Sequence, residues 1–185
     1  HIRMRSGTKF SLSGNLATMA NGLPYAMAAQ VAFPDRQCVA VVGDGGFTML
    51  MGELATCVKY NLPVKIVIFK NNFYGEIRWE QMIFEGNPEF AVELQPVDFA
   101  MVARSFGAAG FTIERPQDAA PVLKEALSYP GPAVVEALVD PNEPPWPPKI
   151  TLAQVRAFAQ ALARGEPNRT KIVLTVLSDK VREMI

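Results

Sequence analysis

"VAVVGDGGFTML", Val39 to Leu50, sets an apolar, strand-like run against an acid, Asp44, held among Gly43, Gly45 and Gly46. A carboxylate at the end of a buried strand is costly unless something pairs with it. Glycines around it suit backbone that must come close to a ligand. A tight strand-to-helix turn carrying a surface Asp would read the same way, so the neighbouring segments matter. Upstream, Gln37 to Gly43 is a continuous apolar run, the mark of a strand buried on both faces. Downstream, Leu50, Leu54, Cys57 and Val58 lie on one face of a helix predicted from Thr48 to Tyr60. Pro63 then leads into "VKIVIFK", Val64 to Lys70, a second buried strand that ends at "NNFYG". Strand, helix, strand over this length is a right-handed βαβ unit with parallel strands.

In parallel α/β sheets, ligands sit beyond the carboxyl ends of the strands. Asp44 follows one such end, and Asn71 follows the next, 27 positions later. A carboxylate and an amide oxygen, helped by a loop carbonyl, suit a hard cation such as Mg²⁺, which prefers oxygen ligands shared with phosphates. The amides of Gly45 and Gly46, at the start of the Thr48 helix, can bind those phosphates, and the helix N-terminus favours an anion. The pattern is that of a metal–diphosphate site. A P-loop needs G-x-x-x-x-G-K-[ST], which the chain lacks. A dinucleotide fingerprint would place glycine where Thr48 stands, which leaves a Rossmann nucleotide-binding domain as a minor alternative.

The alternation continues along the chain, which makes the fold class α/β with a parallel sheet. A helix is predicted over Pro24 to Phe33, preceded by the small-residue loop "SGNLATMANG", Ser13 to Gly22. Helices over Asp98 to Phe106, stopped by Gly107, and Gln117 to Tyr129 alternate with strands at "GFTIE" and "PAVVEALVD". Five prolines between Pro141 and Pro148 mark an extended strap, which divides residues 1–140 from 141–185. Two helices follow the strap. One runs from Leu152 to Arg164, capped by Thr151 and Gly165, and the other from about Thr170 to Met184. The last is amphipathic through Ile172, Val173, Val176, Leu177 and Val181, as expected for packing onto the body or a partner subunit rather than a membrane.

Bulk properties exclude several classes. Among 185 residues, 18 Lys and Arg balance 18 Asp and Glu, so no net field argues for nucleic acid or an anionic membrane. No apolar run approaches the length of a membrane span, and the first residues lack the apolar segment of a signal peptide. Cys38 and Cys57 show no ligand spacing and read as reduced core thiols of a cytoplasmic protein. The only histidine is His1, which removes Ser-His-Asp triads and histidine-based zinc sites.

"GDGGFTMLMGELATCVKYNLPVKIVIFKNN" resembles the cofactor motif of thiamine diphosphate enzymes, close to the pyruvate oxidases, the quinone-dependent pyruvate dehydrogenases and the acetolactate synthases. The resemblance runs from Ser13 to the C-terminus and implies a three-layer α/β/α thiamine diphosphate-binding fold. It implies Asp44 and Asn71 as Mg²⁺ ligands, with the backbone carbonyl of Phe73 as a third. The family's usual asparagine pair is displaced here, and spacing selects Asn71 over Asn72. Gly43, Gly45, Gly46, Tyr74 and Gly75 are implied as further cofactor contacts. "SGNLATMANGLPYA" is similar to the segment that holds the aminopyrimidine, with backbone near Ala17 and Met19, and Met19 matches the bulky residue beneath the bent cofactor. In "NNFYGEIRWEQ", Glu80 matches a glutamate of the pyruvate oxidase branch near the reacting carbon. Acetolactate synthases have tryptophan at that place, and Trp79 is one position away.

The same resemblance implies that the activating glutamate lies on a separate pyrimidine-binding domain, of this or another subunit, and that FAD, where used, binds a middle domain. This chain is therefore expected to be the C-terminal domain of a longer homo-oligomeric enzyme, lacking its first helix–strand unit and inactive alone. Its substrate would be a 2-oxo acid, pyruvate first. A separate small subunit, an acetolactate synthase-like carboligase domain and a non-catalytic module that binds the cofactor or a partner are the alternatives.

Overall fold

The computed structural model describes residues 5–144 and 150–183, with side chains to residue 178. His1, the centre of the proline strap at 145–149, the Val181 side chain and Met184 lie outside the described residues. The chain divides into two contact units. The first joins the chain up to Phe69 with Asp98–Ala137; the second joins Lys70–Val97 with the chain from Leu138 onward.

Four strands form one sheet: β1 (Val39–Gly43), β2 (Lys65–Lys70), β3 (Ala109–Ile113) and β4 (Ala133–Leu138), in the order β1-β2-β4-β3. β1 and β2 are parallel, from Val39 opposite Lys65 to Gly43 opposite Phe69. β3 and β4 are also parallel, from Ala109 opposite Ala133 to Ile113 opposite Ala137. Helix α1 (Gly22–Ala32) precedes β1, and α2 (Asp44–Leu50) and α3 (Leu54–Lys59) connect β1 to β2. In the second unit, α4 (Gly75–Ile83) follows β2. Helix α5 (Phe99–Phe106) leads into β3, and α6 (Ala119–Ser128) connects β3 to β4. Asp98 caps α5 by accepting from the Met101 amide at 2.6 Å, and Gly107 closes it in the left-handed region, as the sequence implies.

The first unit's core is apolar. Ile66 and Ile68 of β2, Leu54 and Cys57 of α3, and Val134 of β4 are fully enclosed. Phe47 meets Phe99 edge to face, with ring centroids 5.5 Å apart. Two buried charges have structural partners. Glu136 of β4 accepts from the Phe99 amide and the Thr112 hydroxyl, and the Lys65 ammonium donates to the carbonyls of Tyr129 and Gly131.

Two expectations are corrected here. The run before Asp44 is not enclosed on both faces by the described residues: among them β1 stands at the edge of the sheet, and Val39 and Val41 are 44% and 47% exposed. An apolar run reports affinity for burial, whereas a strand's place in the sheet depends on which neighbours pair with it. Nor does one helix run from Thr48 to Tyr60. α2 starts at Asp44 itself, directly from the extended Gly43, and a 3-10 turn at Met51–Glu53 separates it from α3. Gly52 lies in that turn, where its low helix propensity weakens continuation.

In the second unit, α4 packs with α7 (Leu152–Ala163) and α8 (Arg169–Glu183). Trp79, Met82 and Ile83 meet Ala161 and Ile172, with Phe158, Leu162 and Val176 around them. The amphipathic C-terminal helix thus finds part of its apolar partner in α4. Thr151 and Gln154 form a capping box on α7.

Candidate thiamine diphosphate site

In the first unit, the turn after β1 is built by backbone. Gly43 is extended, and Asp44, Gly45 and Gly46 open α2, so the two glycine amides lie in the helix's first turn rather than before it. The first-turn amides of a helix have no partner within it. One of them is held locally: Gly45 donates to the Asp44 carboxylate at 2.9 Å. Asp44 is only 3% exposed, in the position where a helix dipole favours an acid. Thr48 donates its hydroxyl to the Gly45 carbonyl at 2.8 Å and tightens the same turn.

Gly46 explains the upstream segment. A Cβ there would stand 2.5 Å from the Met19 carbonyl oxygen, so only glycine lets the Met19 backbone lie on the turn. The structure therefore brings the segment carrying Ala17 and Met19 against the glycine-ringed acid. Ser13 and Thr18 shape that segment: the Thr18 amide donates to the Ser13 hydroxyl, which itself donates to the Leu16 carbonyl. Ala17 is exposed, and Met19 is 43% exposed.

β1 and β2 end in step, since Gly43 opposes Phe69. In sequence, Asp44 follows β1, and Asn71 follows the last residue of β2, Lys70. In the second unit, residues 71–75 form a loop tied to residues 92–94. The Tyr74 amide donates to the Val92 carbonyl, the Leu94 amide to the Asn72 carbonyl, and Phe73 bridges Glu93. The Asn71 side-chain oxygen accepts from the Phe73 amide at 2.9 Å, and a Cβ on Gly75 would meet the Asn71 amide nitrogen at 2.8 Å. Asn72 takes a left-handed conformation, φ +60°, which asparagine tolerates. Asn71 therefore shapes the loop with its side chain, and Asn72 with its backbone.

α4 turns Arg78, Trp79, Met82 and Ile83 inward and leaves Glu80 exposed. Sequence reasoning missed Arg78 and its partners. The buried guanidinium meets Glu89 at 2.5 Å, Glu166 at 3.0 Å and the Pro141 carbonyl at 2.6 Å. Burial pushes the Glu89 carboxyl above its ordinary range, Arg78 opposes that shift, and Glu166 adds to it. The signal available beforehand was the spacing of Arg78 with Met82 on one helix face; its partners were not adjacent in sequence.

Comparison with known proteins decides the family. Residues 1–137 match the model of the thiamine pyrophosphate enzyme C-terminal domain, the TPP-binding domain. The chain belongs to this family. Among curated relatives of this TPP-binding domain, the thiamine pyrophosphate-containing protein YdaP of Bacillus subtilis is 39% identical over the whole chain, which covers 32% of YdaP. The acetolactate synthase large subunit of Porphyra purpurea is 38% identical over 85% of the chain and 26% of the relative. The pyruvate oxidase of Lactiplantibacillus plantarum is 31% identical over 86% of the chain and 28% of the relative. The chain thus spans about a third or less of each relative's length. A solved thiamine diphosphate-dependent 4-hydroxybenzoylformate decarboxylase from Rhodococcus jostii matches 66% of the chain, and 23% of that structure, with TM-score 0.60 and 28% identity. The parallel sheet and its helices are the three-layer α/β/α fold of the TPP-binding domain.

The residues present fit thiamine diphosphate. A buried carboxylate stands beside two side-chain-free residues, and a second chain segment lies close enough to exclude any Cβ between them. Among the described residues no helix is long and apolar enough to cross a membrane.

Proposed function

We propose that this TPP-binding domain holds Mg²⁺–thiamine diphosphate in a 2-oxo acid decarboxylating enzyme of the pyruvate oxidase or pyruvate dehydrogenase type. The observation that carries this is Asp44, a buried acid in the first turn of α2, with the Met19 carbonyl packed onto Gly46 beside it. Asp44, the Asn71 side-chain oxygen and the Phe73 carbonyl would ligate the metal, a hard-oxygen set suited to Mg²⁺. Amides of Gly45 and Gly46 would hold the diphosphate, with Gly43, Tyr74 and Gly75 lining its loops. Ala17 and Met19 would orient the pyrimidine, and Met19 would support the bent form. Bound there, the cofactor supplies the electron sink that decarboxylation of a 2-oxo acid requires. Glu80, exposed on α4, would stand near the reacting carbon.

Residues 1–140 serve in this reading as the cofactor domain of a longer cytoplasmic homo-oligomer. A pyrimidine-binding domain of the same or another subunit completes the site, FAD where used binds outside this chain, and the isolated chain is inactive. The acetolactate synthase reading is favoured by the 38% identity to such a subunit. Against it, Trp79 is enclosed with Ala161 and Ile172, whereas its neighbour Glu80 faces outward. Product analysis with pyruvate separates the two: an oxidised acetyl product, or a condensed acetohydroxy acid.

Calorimetric titration of the full-length enzyme with thiamine diphosphate, with and without Mg²⁺, tests the site. Asp44→Ala should abolish Mg²⁺-dependent binding, Asn71→Ala should weaken it strongly, and Asn72→Ala should matter less. Equal damage from the two asparagine changes would overturn the assignment of Asn71 by spacing.

A further inference from the structure

Arg78 is a buried cation held by four separate stretches of the second unit. Its Nε meets Glu89 on the loop after α4, and its Nη2 meets Glu166 between α7 and α8. Its Nη1 donates to the Pro141 carbonyl after β4. The guanidinium carbon lies over the Phe73 ring, 4.7 Å from the centroid, in the loop after β2. The Trp79 ring flanks it at 5.3 Å. Glu166 adds a second tie, because its other carboxylate oxygen accepts from the Glu89 amide at 2.9 Å.

The carboxylates alone would account for a buried charge. They do not account for the contact with Phe73, which lies in the loop rather than among the enclosed side chains of the helical core. A guanidinium can bind acceptors along its edge and an aromatic ring on its face at the same time, which an ammonium cannot do in fixed geometry. The ring it holds belongs to a residue whose amide donates to the Asn71 side-chain oxygen. Moving the ring would shift the Phe73 carbonyl and the Asn71 oxygen together.

We infer that Arg78 is a positioning residue for the metal–diphosphate loop: clamped by Glu166, Glu89 and Pro141, it sets the place of Phe73 and through it of Asn71. The inference rests on the reading of function above, in which these two residues face the metal. Partners that orient metal ligands without touching the metal typically contribute 10- to 100-fold in affinity. Arg78 would act within this class. Glu166 and Glu89 would act one step further out, by holding Arg78.

The test measures binding rather than turnover. The full-length enzyme is titrated with Mg²⁺ at fixed thiamine diphosphate by calorimetry, and thermal midpoints are recorded without cofactor. Arg78→Lys keeps the charge but loses the planar fork, and Phe73→Leu removes the ring but keeps the carbonyl. Each should raise the Mg²⁺ concentration for half-saturation by about 10-fold or more, and the double variant should be no worse than the weaker-binding single variant. Should Arg78→Lys fail to fold, Phe73→Leu alone still tests the route. A lowered midpoint with an unchanged Mg²⁺ requirement would make the role structural and overturn the inference. Additive effects in the double variant would also overturn it, since Phe73 would then not be the route. Full-length wild-type enzyme that binds no cofactor with Mg²⁺ would sink the reading of function and this inference together; normal wild-type binding with unmoved variants would sink the inference alone.

Discussion

The turn after β1 and the loop after β2 solve one problem in opposite ways. In the proposed reading, both present oxygens and amides at the end of a parallel strand. In the first unit, this is done by leaving side chains out. Gly45 and Gly46 open α2, the Gly45 amide and carbonyl bond to the Asp44 and Thr48 side chains, and the Met19 carbonyl fills the space a Cβ on Gly46 would need. In the second unit, it is done by placing a charge. The loop at Asn71–Gly75 leans on Arg78, whose partners Pro141 and Glu166 lie 63 and 88 residues along the chain. The first arrangement leaves no room for an added atom at Gly46; the second depends on the Arg78 charge.

The contrast can be tested by perturbing each region in its own way. Arg78→Met should have the larger effect on stability, about 3–5 kcal/mol, because Glu89 and Glu166 would keep buried carboxylates with no cation between them. Chemical denaturation of the full chain, following the second unit's transition, measures it; a loss under about 1 kcal/mol would mean that water or rearrangement replaces the guanidinium. Gly46→Ala should cost about 1–3 kcal/mol, the range for forcing an atom into a packed site, because the obstructing Met19 oxygen is backbone and yields little. A neutral outcome would show that the Met19 segment can lift off the turn freely.

The smallest expected effect is one of pH. Burial raises the Glu89 carboxyl above the ordinary carboxylate range, so the folded chain holds that proton more tightly than the unfolded chain. Its stabilising contribution is full below the unfolded value and is lost as pH rises through the raised folded value. Glu89→Gln cannot titrate. Wild-type stability measured against this variant should therefore fall as pH rises from about 4 through the carboxylate range. A difference that grows with pH instead would show that the Arg78 charge outweighs burial at Glu89.

Much of the first unit was legible because its signals are local. Asp98 and Gly107 bound α5, and the β1–β2 and β3–β4 pairs are parallel across helical connections as the alternation implied; in the second unit Thr151 likewise caps α7. The glycine-ringed acid and its distance to Asn71 were enough to suggest a metal–diphosphate site. The start of α2 was misplaced because two glycines normally argue against helix, yet here they form its first turn. The edge position of β1 was hidden because apolar content does not encode strand order.

By itself, then, the sequence determined the α/β alternation and the helix stops, because each depends on a few neighbours and their conformational preferences, while its resemblance to a family implied the residues expected to meet the cofactor. Only the tertiary structure decided which strand stands at the edge, that Met19 lies on Gly46, and that Arg78 is enclosed by Glu89, Glu166 and Pro141. Those contacts join residues far apart in the chain. A buried charge can be satisfied by any suitably placed acceptor, so the letters around Arg78 do not name its partners; the packing of α4, α7 and α8 selects them.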